Sequence, residues 1–302
     1  MKPTESLSAK QAAQIFVKGF AMGAADVVPG VSGGTIAFIT GIYERLIQAI
    51  SHFDQHLVAH VIARRWAQAW QYIDATFLAL LFGGIACSVF SLAHVISHLL
   101  ATQALFVWSF FTGLVLASGV MLLRDIKQWQ LFTFVWLLAG LLAALAVNAS
   151  RPVVVEPSLA YVFVCGMIAI CAMLLPGISG SFLLLVLGVY GHVLASVKGL
   201  DVTVILVFMA GAGIGLLGFA KLLAFALAKA RTQVFSLLTG FLLGSVVLIW
   251  PWKVVSDDLS SVNVSPAYYA QYYELPSQLG ACVGFLGLGL LLVLMLSLLK
   301  TE

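Results

Sequence analysis

The sequence predicts an all-α polytopic membrane protein built from two inverted repeats, each a re-entrant helical hairpin followed by three transmembrane helices. Three observations carry that prediction. The composition is 62% hydrophobic and only 9% charged, against about 25% charged residues in soluble domains. Two Pro/Gly-rich hexapeptides interrupt long apolar runs at matching places in the two halves. The Lys and Arg residues sort to one side of a membrane only if each interrupted segment enters and leaves on the same side.

The hexapeptides are Pro29-Gly30-Val31-Ser32-Gly33-Gly34 and Pro176-Gly177-Ile178-Ser179-Gly180-Ser181. Proline disturbs the helix around it, and glycine admits unusual dihedrals and close backbone approach. At the same offset of 147 residues, Phe16/Phe163, Gly19/Gly166, Ala25/Ala172, Gly41/Gly188 and Tyr43/Tyr190 coincide. Farther on the offset falls to 127, where Gly84/Gly211, Thr112/Thr239, Gly113/Gly240 and Ser118/Ser245 coincide, so the first half carries an insertion near residues 52–74. Paired breaks of this kind in two halves point to a transporter's binding site.

In chain order, 13–28 and 32–50 form the first broken pair. Each arm is shorter than the about 20 residues of a full span. They read as the arms of a re-entrant hairpin, tolerated at membrane depth only when buried in protein or lining a cavity. Residues 52–74 place Phe53, Leu57, Val61, Trp66, Trp70 and Ile73 near one helical face beside Arg64 and Arg65, the pattern of an interfacial amphipathic helix. Full spans are expected at about 76–99, 103–123 and 131–148, closing a first repeat of about 13–148. The second repeat, about 160–299, has its broken pair at 160–175 and 178–197 and spans at about 202–228, 232–250 and 277–299. The loop 251–276 carries Trp252, Tyr268, Tyr269, Tyr272 and Tyr273 as interfacial anchors. All of 1–302 reads as one membrane domain with no cleaved signal peptide. Cys87, Cys165, Cys171 and Cys282 sit in apolar runs without metal-ligand spacing, so neither a metal nor a cofactor is expected.

Orientation follows from the charges. With a cytoplasmic N-terminus and two hairpins, Lys2, Lys10, Lys18, Arg45, Arg64, Arg65, Arg124, Lys127, Lys221, Lys229, Arg231 and Lys300 fall inside. Only Arg151, Lys198 and Lys253 fall outside. If each broken segment crossed once, the split would be 8 to 7, and the positive-inside rule would be lost. One hairpin plus three crossings is an odd number, so the repeats are expected to be inverted. Their tips then meet near the midplane, and both termini are cytoplasmic.

After each Pro-Gly a helix is expected to begin, with the N–H groups of Ser32, Gly33, Gly34 and Thr35 at one tip and of Ser179, Gly180, Ser181 and Phe182 at the other. Helix N-termini suit anions, phosphate above all, and the hydroxyls add donors. The candidate binding set is Pro29, Gly30, Ser32, Gly33, Gly34, Thr35, Pro176, Gly177, Ser179, Gly180 and Ser181. The plainer alternative is that Ser32 and Ser179 cap their own helices. Asp26, Glu44, Arg45, His192 and Lys221 are the candidate coupling or charge partners. Asp26 matches Met173 in the second half, so the duplication is electrically asymmetric. A charged carboxylate is costly at membrane depth and would repel a phosphate. Asp26 is therefore either a proton-coupling group or a scaffold that holds freed backbone donors.

These residues carry a resemblance. Val28-Pro29-Gly30-Val31-Ser32-Gly33-Gly34-Thr35 and Leu175-Pro176-Gly177-Ile178-Ser179-Gly180-Ser181, followed by Gly-Ile-Tyr and Gly-Val-Tyr, resemble the bacterial PopT-type polyprenyl-phosphate transporter family over essentially the whole chain. The resemblance implies a multi-pass inner-membrane protein that returns undecaprenyl phosphate to the cytoplasmic leaflet, recycling the lipid that carries envelope and peptidoglycan precursors outward. The partners expected are the polyprenyl phosphate and the bilayer, with no nucleic acid. The motif is also similar to the Pro-Gly-x-Ser-Arg-Ser loop of integral undecaprenyl-diphosphate phosphatases. Here Gly33 and Gly180 stand where that Arg would be, and no glutamate pair accompanies them, which argues against an enzyme. A secondary transporter of a small anion is a third reading. Direction, coupling ion, tail length and oligomeric state stay open at this point.

Overall fold

The computed structural model describes residues 7–28, 30–126, 129–150, 155–255 and 261–297. Of the residues singled out above, Pro29, Lys2, Lys127, Arg151 and Lys300 lie outside these ranges. The chain is an all-α polytopic membrane protein, with one short antiparallel ribbon as its only strands among the described residues.

Helix α1 (Ala9–Asp26) starts at a capping box, in which Ser8 Oγ accepts from Gln11 N–H and Gln11 Oε1 accepts from Ser8 N–H. The second arm of the first broken pair is not one helix. Gly41, at φ +75°, stops it and divides it into α2 (Gly33–Ile39) and α3 (Tyr43–Ser51). A glycine at positive φ is a common helix stop, and its pairing with Gly188 in the sequence carried that signal. The expected single amphipathic helix over 52–74 is likewise two, α4 (Gln55–Ile62) and α5 (Trp66–Tyr72), turned at Arg64 with φ +54°. Val58, Ile62, Trp66 and Trp70 remain exposed on this pair.

Three long helices follow: α6 (Ala75–Thr102), α7 (Ala104–Asp125) and α8 (Leu131–Ala149). Then α9 (Leu159–Leu174) leads to the second Pro-Gly. Beyond it Gly188, at φ +73°, divides the arm into α10 (Gly180–Val186) and α11 (Tyr190–Lys198), bent by 110°. Helix α12 (Val202–Gly244) is extended by a 3-10 turn over Ser245–Ile249. At 1.5 Å per residue this 48-residue stretch is about 70 Å long, over twice the hydrocarbon core. It is broken at Ala230 (φ −144°, ψ 49°), between the two expected spans. Gln103, between α6 and α7, has nearly the same conformation (φ −137°, ψ 39°) and lies 127 residues earlier. The ribbon β1 (Lys253–Val255) and β2 (Ser261–Asn263), α13 (Pro266–Tyr273) and α14 (Leu279–Ser297) complete the chain.

Four helix pairings make the frame: α1 on α6, α9 on the first part of α12, α7 on α14, and α8 on the second part of α12. Backbones touch at glycines. A Cβ on Gly113 would lie 2.0 Å from Leu286 O, and one on Gly240, its match, 1.9 Å from Leu137 O. Lipid offers no hydrophobic drive between helices, so close approach of this kind supplies the packing. Between the pairings lies the core, where Ile36, Phe38, Ile39, Tyr43 and Ile47 of α2 and α3 are all buried.

Candidate functional site

Gly30 (φ +81°) and Gly177 (φ +90°) form the two turns in a conformation that L side chains rarely adopt. A Cβ on Gly177 would also come within 2.9 Å of Leu242 Cα. Each turn therefore needs glycine, and the two turns meet. Tyr43 OH donates to Leu174 C=O at 2.9 Å, Ser32 Oγ donates to Leu175 C=O at 3.3 Å, and Gly177 N–H donates to Thr35 Oγ1 at 3.1 Å. Pro176, Gly177, Ser179 and Gly180 are buried with Gly30, Ser32, Gly33, Gly34 and Thr35. The tips expected to converge are hydrogen-bonded to each other.

The donors at the two tips are used differently. At the first, Gly33 N–H donates to Asp26 Oδ1 at 2.6 Å, Gly34 N–H to Ser32 Oγ at 3.1 Å, and Thr35 N–H to Ser32 C=O at 2.9 Å. The expectation that Gly33, Gly34 and Thr35 offer open N–H groups is thus corrected. The Asp26 carboxylate and the Ser32 cap have taken them, because α1 ends directly over the start of α2. At the second tip Met173 occupies the place of Asp26: a Cβ on Gly180 would lie 2.6 Å from Met173 Cγ, as one on Gly33 would lie 2.4 Å from Asp26 Oδ2. A thioether is a weak acceptor. Ser179 makes no cap; its Oγ is 2.7 Å from Ser181 Oγ. Among the described residues, the N–H groups of Gly180, Ser181 and Phe182 have no hydrogen-bond partner.

Of these, Gly180 and Ser181 border a cavity of about 270 Å3 that is also walled by Ser179, Met173, Phe208 and Asp26. A second cavity of about 150 Å3 also reaches Asp26, together with Gly34, Tyr43 and Met173. Asp26 thus caps one tip and faces the space in front of the other. Among the described residues no group of three or more His, Cys, Asp or Glu could hold a metal ion.

The remaining charged candidates sit elsewhere. Glu44 pairs with Arg231 at 2.6 Å, beside the Ala230 break, and Arg45 pairs with Asp74 at 2.6 Å while stacking 4.3 Å over the Phe77 ring. His192 is half-buried on α11 and Lys221 is exposed on α12. None of these four lines either cavity at the tips.

Two residues were not singled out from the sequence as site residues. Tyr43 bridges the tips, and its pairing with Tyr190 across the halves was the available signal. Lys18, 1% exposed, donates to Thr40 C=O at 3.1 Å at the end of α2. The matching carbonyl in the second half, Leu187 C=O, accepts instead from Tyr161 OH at 3.0 Å. A lysine in an otherwise apolar arm was the signal there, and counting it as an orientation charge hid it.

The sequence matches the VCA0040-like family model, described as undecaprenyl phosphate translocase-like, over residues 22–264. It is 47% identical over 273 residues to a polyprenyl-phosphate transporter of Vibrio cholerae, covering 87% of this chain and 89% of that one. It is 32% identical over 255 residues to a polyprenyl-phosphate transporter of Staphylococcus aureus, covering 78% and 85%. No solved structure matches this chain.

Proposed function

This chain belongs to the undecaprenyl phosphate translocase-like family, whose members are named as transporters rather than enzymes, and from that premise we propose that it moves polyprenyl phosphate across the cytoplasmic membrane. The observation that carries the reading is the joined pair of Pro-Gly tips, with unpartnered donors at the second tip facing a cavity. The phosphate binds there, at Gly180 and Ser181 with the Ser179 hydroxyl. The Gly180 and Ser181 N–H groups, with the paired hydroxyls of Ser179 and Ser181, can serve several phosphate oxygens without a cationic cluster. The first tip lends rigidity: Ser32, Thr35 and Tyr43 hold the second turn in place.

The two halves, about 13–148 and 160–299, act as inverted repeats with re-entrant hairpins, and both termini are cytoplasmic. The matched positive-φ glycines, the matched corners at Gln103 and Ala230 and the charge distribution support this arrangement. Transport runs from the outer to the cytoplasmic leaflet. Asp26 couples it to protons: an ionised carboxylate across the cavity repels the arriving phosphate, and a protonated one does not.

The test is reconstitution into vesicles with labelled undecaprenyl phosphate, following headgroup accessibility on each side over time. Protein-dependent equilibration, lost in Gly180→Leu, is expected. Vesicles that equilibrate no faster than protein-free ones would overturn the reading. So would phosphate released from undecaprenyl diphosphate in a manner that Ser179→Ala abolishes.

A further inference from the structure

A cavity of about 690 Å3 lies in the fork between α6 and α7, and its walls are apolar apart from Gln103 at the corner. Its position and its asymmetry are informative. The break at Ala230 makes the corresponding fork in α12, and there α3 packs against α12: Glu44 holds Arg231, and Phe38 beside it lies 4.7 Å from the Phe235 ring. The matching helix α11 does not fill the first fork; its contacts are made with α10 and α12. The wall contributed by α1 is also cut back. Ala21 and Ala24 face the cavity, where the matching positions of α9 hold Ile168 and Cys171. The large cavity is thus particular to one half and not a by-product of the duplicated frame.

Its inner end adjoins the first tip, which is hydrogen-bonded to the second. Ala25, next to Asp26, and Ile36, next to Thr35, both line it. From there it runs along α7 and α14, past Phe110 and Leu288, towards Gln103, and Leu288 is 53% exposed, so the side is open. We infer that this fork is the binding site for the prenyl chain of the transported lipid, whose first isoprene units enter beside Ala25. The inference rests on the transport reading above. An apolar space of this size in a bilayer fills with hydrocarbon, since an empty one would forfeit the packing contacts of its walls. A chain already tethered by its phosphate at the tips reaches the groove as an intramolecular partner and so outcompetes free chains of similar chemistry. The walls of Phe, Leu and Ala offer branched, methyl-bearing chains contact and offer polar groups nothing.

The experiment compares undecaprenyl phosphate with geranyl phosphate, which has the same headgroup and a tail too short to fill the fork, on full-length protein in nanodiscs. Ala24→Phe narrows the fork from α1, and Leu288→Trp narrows it independently from the half-exposed face of α14. Each is expected to weaken undecaprenyl phosphate about tenfold, the equivalent of about 1.4 kcal/mol of lost contact, and to leave geranyl phosphate unchanged. A diazirine at the far end of the long tail should label 106–114 and 285–296 in the wild type, and excess undecaprenyl phosphate should remove the label. Equal weakening of both lipids would overturn the inference. So would labelling that phosphatidylethanolamine displaces as well as undecaprenyl phosphate does, or a disulfide between cysteines on α11 and α7 showing that α11 fills the fork. Wild-type protein that binds neither lipid would overturn the transport reading, and the inference with it.

Discussion

At the first Pro-Gly turn a carboxylate lies over the start of the following helix, with Asp26 Oδ1 2.6 Å from Gly33 N–H; at the second, Met173 lies over Gly180 in the same place. The backbones of the two turns agree, with φ +81° against +90° at the glycine. The side chain at this position therefore decides whether the first donor, Gly33 N–H or Gly180 N–H, is spent inside the protein, and the cap that Ser32 makes and Ser179 does not make decides the next. The arms beyond the turns differ in the same direction. Helix α3 is held by two ion pairs and buries Leu46, Ile47, Ala49 and Ile50, whereas α11 buries only Ser196 and leaves Leu194 and Val197 exposed. At matched positions the first arm is held and its donors are spent, whereas the second arm is more exposed and its donors are open.

The largest effect should come from filling the second tip. In Gly180→Leu the new Cβ would meet Met173 Cγ at 2.6 Å and Ala169 O at 2.8 Å, and the side chain would cover the donors. Losing two charge-assisted hydrogen bonds at about 1.5–3 kcal/mol each should abolish measurable undecaprenyl phosphate binding while protein remains in the membrane. In Gly33→Leu the clash is with Asp26, so the expected deficit is first in the yield of folded protein from detergent extracts. If Gly180→Leu binds and transports normally, the second tip is not the site. An intermediate effect is expected from Asp26→Asn, which keeps shape and removes charge. It should cost about 1 kcal/mol of capping at α2 and retain lipid binding, while transport in vesicles stops responding to an imposed pH gradient. A wild-type response would make Asp26 a scaffold only. The smallest effect is expected at the clamp. Glu44→Gln and Arg45→Ala each remove one partly exposed ion pair, worth about 0.2–1 kcal/mol. Amide exchange over 43–51 should then rise towards that over 190–198, which is expected to be the faster of the two in the wild type. Equal exchange of both arms in the wild type would remove the distinction.

Much of this was legible in the sequence, because the signals were local and repeated. The paired Pro-Gly breaks, the apolar spans and the matching of Gly41 with Gly188 are visible one residue at a time. The mismatch of Asp26 with Met173 was visible too, but its consequence was not. Reading it requires knowing that α1 ends directly over Gly33, which packing decides and periodicity does not. That the hydroxyls of Ser32 and Thr35 also join the first tip to the second turn was hidden for the same reason. The division of 52–74 at Arg64 escaped because a non-glycine residue makes the turn. The fork beside α7 had no sequence signature at all, since alanines in a membrane helix are ordinary and only their missing partner makes a cavity.

The central claim is that an internal carboxylate closes the first tip and that its absence opens the second. Undecaprenyl phosphate affinity of Met173→Asp, measured beside Met173→Leu, tests it most directly. A carboxylate at position 173 should take Gly180 N–H as Asp26 takes Gly33 N–H, and its charge should repel the phosphate. Binding is expected to fall by at least about tenfold, some 1.4 kcal/mol, and to be retained in Met173→Leu. Unchanged binding in Met173→Asp, in protein that is folded and in the membrane, would contradict the account.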